Sequence, residues 1–140
     1  MSHWPRAGCG AAIVRDGRIL LLRRARPPEA GHWSLPGGKI DEGEPYEAAI
    51  LREIEEELAI RLTETRLLCV VNLIGEGQHW VSPVLLATDF EGTPRNVEPD
   101  KHAEIGWFDL AAPPSPLAQS AAQALDALMA RDGDVSPGLR

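Results

Sequence analysis

The chain has 140 residues, the usual size of one folded domain (1–140). Hydrophobic residues make up 44% and charged residues 25%, which excludes a disordered or fibrous chain. The net charge of -7 opposes binding to long nucleic acids, because that affinity depends on neutralising many phosphates. A small anionic substrate remains compatible with this charge if a metal ion or a few arginines neutralise it.

The beginning of the chain, residues 1–10, lacks the apolar stretch and cleavage pattern of a secretion signal. No apolar run reaches the length of a membrane span, so we expect a cytoplasmic protein without membrane contact. Cys9 and Cys69 lie in apolar runs, and their spacing does not indicate a disulfide. We therefore expect two buried free thiols.

The first predicted element is a β-hairpin. Residues 10–14 and 19–22 are apolar, and Asp16-Gly17 lies between them. An Asp-Gly pair between two strands is typical of a tight turn that needs positive φ angles. Residues 26–31 contain two prolines and predict a loop, and residues 33–35 predict a short extended segment before Pro36-Gly37-Gly38.

The rest of the chain alternates helical and strand patterns. The pattern predicts helices at 45–58 and 117–130, strands at 67–74, 80–88 and 105–108, a loop at 91–101 and a terminal tail at 132–140. Strands, a helix, more strands and a second helix predict a layered α+β domain.

The first predicted helix separates acidic from apolar residues. At about 100° per residue, Glu53, Glu56 and Glu57 share one arc, whereas Leu51, Ile54 and Leu58 lie on the other side. Like charges spaced this way destabilise a helix, but carboxylate oxygens are the ligands that a divalent cation such as Mg²⁺ prefers. A solvated acidic face is the alternative interpretation.

The residues around this helix follow a known pattern. Gly38 is followed by five residues, Glu44, seven residues, and then the run from Arg52-Glu53 through Glu56-Glu57 to Ala59-Ile60. This spacing closely resembles the Nudix box, with one departure, since Ala59 stands where the family has glycine. Glycine would end the helix in a left-handed conformation at little cost, and alanine costs about 1 kcal/mol more.

The resemblance implies an α/β/α sandwich with a mixed sheet between helices, and hydrolysis of a nucleoside diphosphate linked to another group. It implies Mg²⁺, with Mn²⁺ possible, bound by Glu56, Glu57 and the carbonyl of Gly37. Glu53 would be a ligand or the general base. Arg52 would orient a glutamate, and Glu44 would support the loop and the start of the helix. A carboxylate at this position also favours the helix dipole and can cap N–H groups.

Other residues are candidates for substrate contact. The resemblance to MutT-like members implies that Arg23 meets a phosphate, with a surface arginine as the alternative. Lys39 and the backbone at Gly38 are further phosphate candidates, and Trp33 is a candidate for stacking on a base. Glu104 is the favoured outlying ligand or base, in competition with Glu98 and Asp100, and no role is expected for His102.

The substrate class is less constrained than the reaction. Residues 96–109 look like those of members that cleave (deoxy)nucleoside triphosphates, giving a monophosphate and pyrophosphate. ADP-ribose or another nucleoside diphosphate sugar is the alternative. A regulatory domain that only binds nucleotides and a metal-buffering acidic helix are alternatives of another class. The resemblance also implies a possible homodimer.

Overall fold

The computed structural model describes residues 4–133, and its sheet begins with the predicted hairpin. β1 (Arg6–Arg15) and β2 (Arg18–Arg24) pair antiparallel, with Val14 opposite Ile19. Asp16 and Gly17 both have positive φ, 54° and 75°, as the tight turn requires. The hairpin prediction is therefore confirmed.

The remaining strands and helices complete a mixed sheet. In chain order they are β3 (Trp33–Ser34), β4 (Gly37–Lys39), α1 (Tyr46–Leu58), β5 (Arg61–Gly75), β6 (Gln78–Glu91), β7 (His102–Asp109) and α2 (Gln119–Gly133). The strand order is β3-β2-β1-β6-β5, while β4 pairs with β1 and β7 with β2. Only the contact between β1 and β6 is parallel among the described strand pairs.

Both faces of the sheet are buried because successive strand residues point to opposite sides. Leu20 and Leu22 belong to the core under α1, whereas Ile19 and Leu21 belong to the core under α2. The predicted α/β/α sandwich is confirmed. Within residues 4–133, no helix is long and apolar enough to cross a membrane.

The apolar stripe of α1 differs from the predicted one. Ile54 and Leu58 are fully buried as expected, but Leu51 is 38% exposed. Ile50 is buried in its place, and so is the carboxylate of Glu57, which is 6% exposed. The buried face is thus rotated toward Ile50, and one acidic residue lies inside it.

The end of α1 has the left-handed geometry inferred for position 59. Ala59 has φ 58° and ψ 33°, and its N–H donates to the carbonyl of Glu55. Residues other than glycine are disfavoured in this region of backbone space.

The two cysteines are free thiols, Cys9 buried and Cys69 half-buried, so Cys69 is less enclosed than expected.

The outer edge of β5 is bonded to α2 through two glutamine side chains. Gln119 accepts from the N–H of Ile74 and donates to its carbonyl, at 2.9 Å each, and Gln123 does the same with Asn72 at 2.9 and 2.6 Å. The spacing fits because two strand residues span about 6.6 Å and four helical residues rise about 6 Å.

Of the tail predicted at 132–140, the first two positions continue α2 and the others lie outside the described residues.

Candidate active site

Two glycines allow β4 to lie close to both β1 and α1. In β4, Gly37 is opposite Gly10 and Gly38 is opposite Cys9. A Cβ atom added to Gly37 would overlap the carbonyl of Cys9, and one added to Gly38 would overlap the carboxylate of Glu53. This close approach requires glycine at both positions. The space beside Gly38 is occupied by the carboxylate of Glu53, on α1.

Arg52 organises the carboxylates at this point. Its guanidinium binds Glu44 through two hydrogen bonds of 2.7 and 2.9 Å, and it reaches Glu53 at 3.0 Å and the carbonyl of Lys39 at 3.1 Å. This bidentate contact lowers the pKa of Glu44 to about 2. Glu56 is 56% exposed and lies 3.4 Å from Arg52, so the arginine holds Glu53 more firmly than Glu56.

Glu44 does not cap the helix as the sequence suggested. The N-cap residue Pro45 has no side chain capable of this bond, and Glu44 instead accepts the N–H of Asp41 at 3.0 Å. The carboxylate points back toward the loop because Arg52 binds it from the helix side. Glu44 therefore connects the loop before α1 to Arg52.

Glu57 is the most enclosed carboxylate of the site. Its Oε1 accepts the N–H of Gly37 at 2.8 Å, and its Oε2 lies 3.5 Å from Nε2 of His102. The pKa of Glu57 is raised to about 8, mainly by burial; the Gly37 hydrogen bond opposes this shift, and the charges of Glu53 and Glu98 add to it. Gly37, whose carbonyl is the ligand that the family resemblance implies, contacts Glu57 through its N–H.

A loop brings Glu98 and His102 to Glu57. The N–H of Val97 donates to the carbonyl of Glu57 at 3.1 Å, and that of Arg95 donates to Leu58 at 3.0 Å. These bonds satisfy carbonyls at the end of α1 that have no partner within the helix. As a result, Glu98 rather than Glu104 lies beside the acidic residues of α1.

Glu57, Glu98 and His102 form a group that fits a divalent cation. Each offers one ligand atom, and these atoms lie within 4.8 Å of one another. His102 is buried, its Nδ1 has no hydrogen-bond partner within residues 4–133, and burial lowers its pKa, which favours the neutral form that can bind a metal. A cation here would also relieve the cost of burying the charge of Glu57.

The sequence did not indicate His102 because its partner Glu57 lies on another element. Neither residue has a histidine or cysteine at metal-ligand spacing in the sequence. Of the three predicted ligands on α1, Glu57 lies in this group. Glu53 lies close enough to Glu98 for that charge to raise the pKa of Glu53, although burial is the larger cause. Glu56 lies at the exposed rim.

A cavity of about 250 Å³ lies beside Gly37 and Gly38, next to the acidic site. Its lining also includes Lys39, Trp80 and Gln119. The indole N–H of Trp80 donates to Gln78 at 2.7 Å, which fixes the ring against the cavity. We call this cavity the central pocket.

The arginine that lines the central pocket is Arg24, not Arg23. Arg23 lies opposite Glu104 on the β2–β7 pair and binds it at 3.0 Å on the surface. The pairing of β2 with β7 is irregular between Arg23 and Arg24, and of these two arginines Arg24 lines the pocket. The choice of Arg23 and the role of Glu104 therefore differ from the arrangement in the structure.

Trp33 is not among the residues that line the central pocket, although Ser34 beside it is. Its ring makes an edge contact with Phe108 at 4.7 Å between centroids, within the core under α2. Trp80 is the tryptophan at the pocket. Trp80 was difficult to identify as a pocket residue from the sequence, because it begins the predicted strand 80–88, whose apolar pattern is typical of a buried core.

Comparison with known proteins places these features in a family. The NUDIX domain model matches residues 4–128. A crystal structure of MutT NUDIX hydrolase from Burkholderia pseudomallei is 58% identical, covers 90% of this chain and 99% of its own, and superimposes with a TM-score of 0.88.

Relatives of known sequence agree. The CTP pyrophosphohydrolase of Escherichia coli K12 is 34% identical over 86% of this chain and 88% of its own length. A putative 8-oxo-dGTP diphosphatase 2 of Mycobacterium tuberculosis is 50% identical over 54 residues, and the match spans only 38% of each chain. From the family model, the matching fold and the nearly complete box, the chain belongs to the Nudix family and is similar to its MutT-like members.

Proposed function

We propose that the protein is a metal-dependent hydrolase of (deoxy)nucleoside triphosphates, giving a monophosphate and pyrophosphate. The observation that carries this proposal is the convergence of Glu53, Glu57 and Glu98 beside Gly37, which lines a pocket that also holds Arg24. Carboxylates beside a base-sized cavity match the two halves of a nucleotide.

The reaction needs a charge partner for the phosphates and a deprotonated water. Arg24 and Lys39 line the pocket and can bind phosphate oxygens. Glu57 and Glu98 would hold the metal, which neutralises phosphate charge and lowers the pKa of a bound water when present. Mg²⁺ suits the carboxylates, and Mn²⁺ becomes the better choice if His102 is also a ligand.

Glu53 is our choice for the general base. It is half-buried against Gly38, its pKa is raised mainly by burial, and Arg52 fixes one of its oxygens at 3.0 Å. In the proposed step, Glu53 accepts a proton as the water oxygen attacks phosphorus and the anhydride P–O bond breaks. The electron pair of that bond leaves with the pyrophosphate group. Arg52 acts as a positioning residue.

The family relatives support nucleotides as substrates. One is named a CTP pyrophosphohydrolase, and another a putative 8-oxo-dGTP diphosphatase. Neither name decides the base for this chain.

A nucleotide panel tests the proposal. The protein is incubated with Mg²⁺ and each nucleoside triphosphate, 8-oxo-dGTP, ADP-ribose and a nucleoside diphosphate sugar, and pyrophosphate and phosphate release are measured. We expect pyrophosphate from a triphosphate, and a loss of turnover by about 100-fold or more in Glu53→Gln. Glu64→Gln, at an exposed residue of β5, is the matched control and should keep wild-type rates.

Other outcomes are informative. Cleavage of ADP-ribose alone would replace the proposed substrate but keep the chemistry. Nucleotide binding without release of any product would favour a regulatory binding domain, and would overturn the proposed function.

A further inference from the structure

Lysine is scarce in this chain, and both lysines lie beside the acidic site. The sequence has 14 basic residues, of which only Lys39 and Lys101 are lysines. Lys39 lines the central pocket, and Lys101 lies on the loop that carries Glu98 and His102. Lys39 is already a phosphate contact in the proposed function. Lys101 is a second cation at the site, and that function gives it no role.

The backbone around Lys101 is fixed independently of its side chain. The N–H of Lys101 donates to the carbonyl of Glu98 at 2.9 Å, and the N–H of His102 donates to the same carbonyl at 3.0 Å. The carbonyl of Lys101 accepts the N–H of Ala25 at 2.9 Å. One turn therefore brings Glu98, Lys101 and His102 together, and a substitution of the Lys101 side chain leaves these bonds in place.

The ammonium group of Lys101 supplies positive charge to the group that fits a divalent cation. Its Nζ lies 3.3 Å from Oε2 of Glu98. Burial has the largest influence on the pKa of Glu57 and of His102, and the charge of Lys101 lowers the pKa of both. Lys101 therefore acts on all three members of the group, and directly on Glu98.

The site holds two of its carboxylates by different means. Glu44 is 18% exposed and is bound by the planar guanidinium of Arg52 through two hydrogen bonds. Lys101 contacts one oxygen of Glu98, and these side chains are 51% and 29% exposed. An exposed pair of this kind contributes little to stability, and lysine is a point charge on a flexible stem. The contact of Lys101 is therefore easily exchanged, whereas that of Arg52 is fixed.

Glu98 cannot attract Lys101 and a divalent cation equally. A carboxylate that holds a cation is neutralised by it, and the cation repels the ammonium because like charges repel. A nucleotide brings its phosphates to the same cation. The ammonium group that leaves Glu98 thus has a new anionic partner at the site.

We propose that Lys101 is an exchangeable counter-charge, which neutralises Glu98 in the metal-free protein and binds an outer phosphate of the nucleotide when Glu98 holds a cation. The inference rests on the proposed function, because that function places a phosphate chain beside the acidic group. Removal of the ammonium should therefore change two affinities in opposite directions. A cation meets no competitor at Glu98 and binds more tightly, whereas the phosphates lose a partner and bind more weakly. A residue with only a structural role would weaken both.

Calorimetry measures the two affinities separately from hydrolysis. The probes are Mg²⁺ alone and, at saturating Mg²⁺, methylenediphosphonate, a pyrophosphate analogue that is not hydrolysed. In Lys101→Met we expect the Mg²⁺ affinity to rise about 3- to 5-fold and the analogue affinity to fall about 5- to 10-fold. In Lys101→Arg the Mg²⁺ affinity should fall below that of the wild type, because a guanidinium fork can bind both oxygens of Glu98.

A matched control separates this exchange from a general effect of charge. Arg26→Met also removes one positive charge, from an exposed pair with Asp100 in the same region, and should change neither affinity. Lys101→Gln repeats the test if Lys101→Met does not fold. A Mg²⁺ affinity that is unchanged or lower in the Lys101→Met variant would overturn the proposal. Unchanged binding of the analogue in that variant, or equal shifts in Arg26→Met, would do the same.

The outcome is independent of the test of the proposed function. The expected shifts in a protein that hydrolyses no nucleotide would uphold the role of Lys101 and reject the proposed function. Hydrolysis of a triphosphate by a protein that lacks these shifts would uphold the function and reject the role of Lys101.

Discussion

Replacing Glu57 with glutamine is expected to stabilise the metal-free protein at neutral pH and to abolish activity. Burial raises the pKa of Glu57 from 4.5 to about 8, so the folded state holds this proton more tightly than the unfolded chain. The free energy of unfolding contributed by this group is therefore fully present below 4.5 and decreases as pH rises through about 8. One proton changes it by about 1.4 kcal/mol for each pH unit in this window.

The assay is urea unfolding of chelator-treated wild type and Glu57→Gln at about pH 5.5 and about pH 7.5. Between these values the wild type should lose about 2–3 kcal/mol relative to the variant. His102, whose pKa is lowered by burial, acts in the opposite direction and is present in both proteins. Added Mg²⁺ should restore wild-type stability at the higher pH and leave the variant unchanged. Parallel pH profiles for the two proteins would refute the burial argument.

Three further substitutions follow from the site. Gly38→Ala should lower turnover by about 100-fold, because its methyl group would displace the Glu53 carboxylate, with folding checked by circular dichroism. Ala59→Gly should raise the free energy of unfolding by about 1 kcal/mol at unchanged turnover, since position 59 is left-handed; a loss of stability in urea unfolding would contradict this. Arg52→Lys should lower turnover while KM changes little, because a lysine cannot make the two bonds to Glu44 and still hold Glu53; wild-type kinetics would exclude the positioning role.

The sequence predicted the elements whose patterns are strong. The hairpin was predictable because Asp16-Gly17 separates two apolar runs, and α1 because its apolar and acidic residues recur with helical spacing. β5 is longer than predicted, since its first six residues are polar and exposed except for Leu62 and leave no repeating apolar pattern to detect. β4 was not predictable as a strand because Gly37 and Gly38 have no side chains to show a strand pattern.

The site was predictable where its residues share one helix or turn. Arg52, Glu53 and Glu57 lie together for this reason. His102 joins them only through the tertiary contacts of β7, which no local spacing shows. The choice between Arg23 and Arg24 depends on which face of β2 borders the pocket, and the sequence alone leaves both possible.

The glutamine bonds between α2 and β5 have a consequence for association. β5 is the last strand of its sheet, and an open edge strand is a template onto which another chain can add. At Asn72 and Ile74 the backbone groups that a new strand would need are already taken by Gln123 and Gln119. The sheet therefore cannot grow from molecule to molecule along this stretch, and protection from aggregation is built into the same helix that borders the pocket.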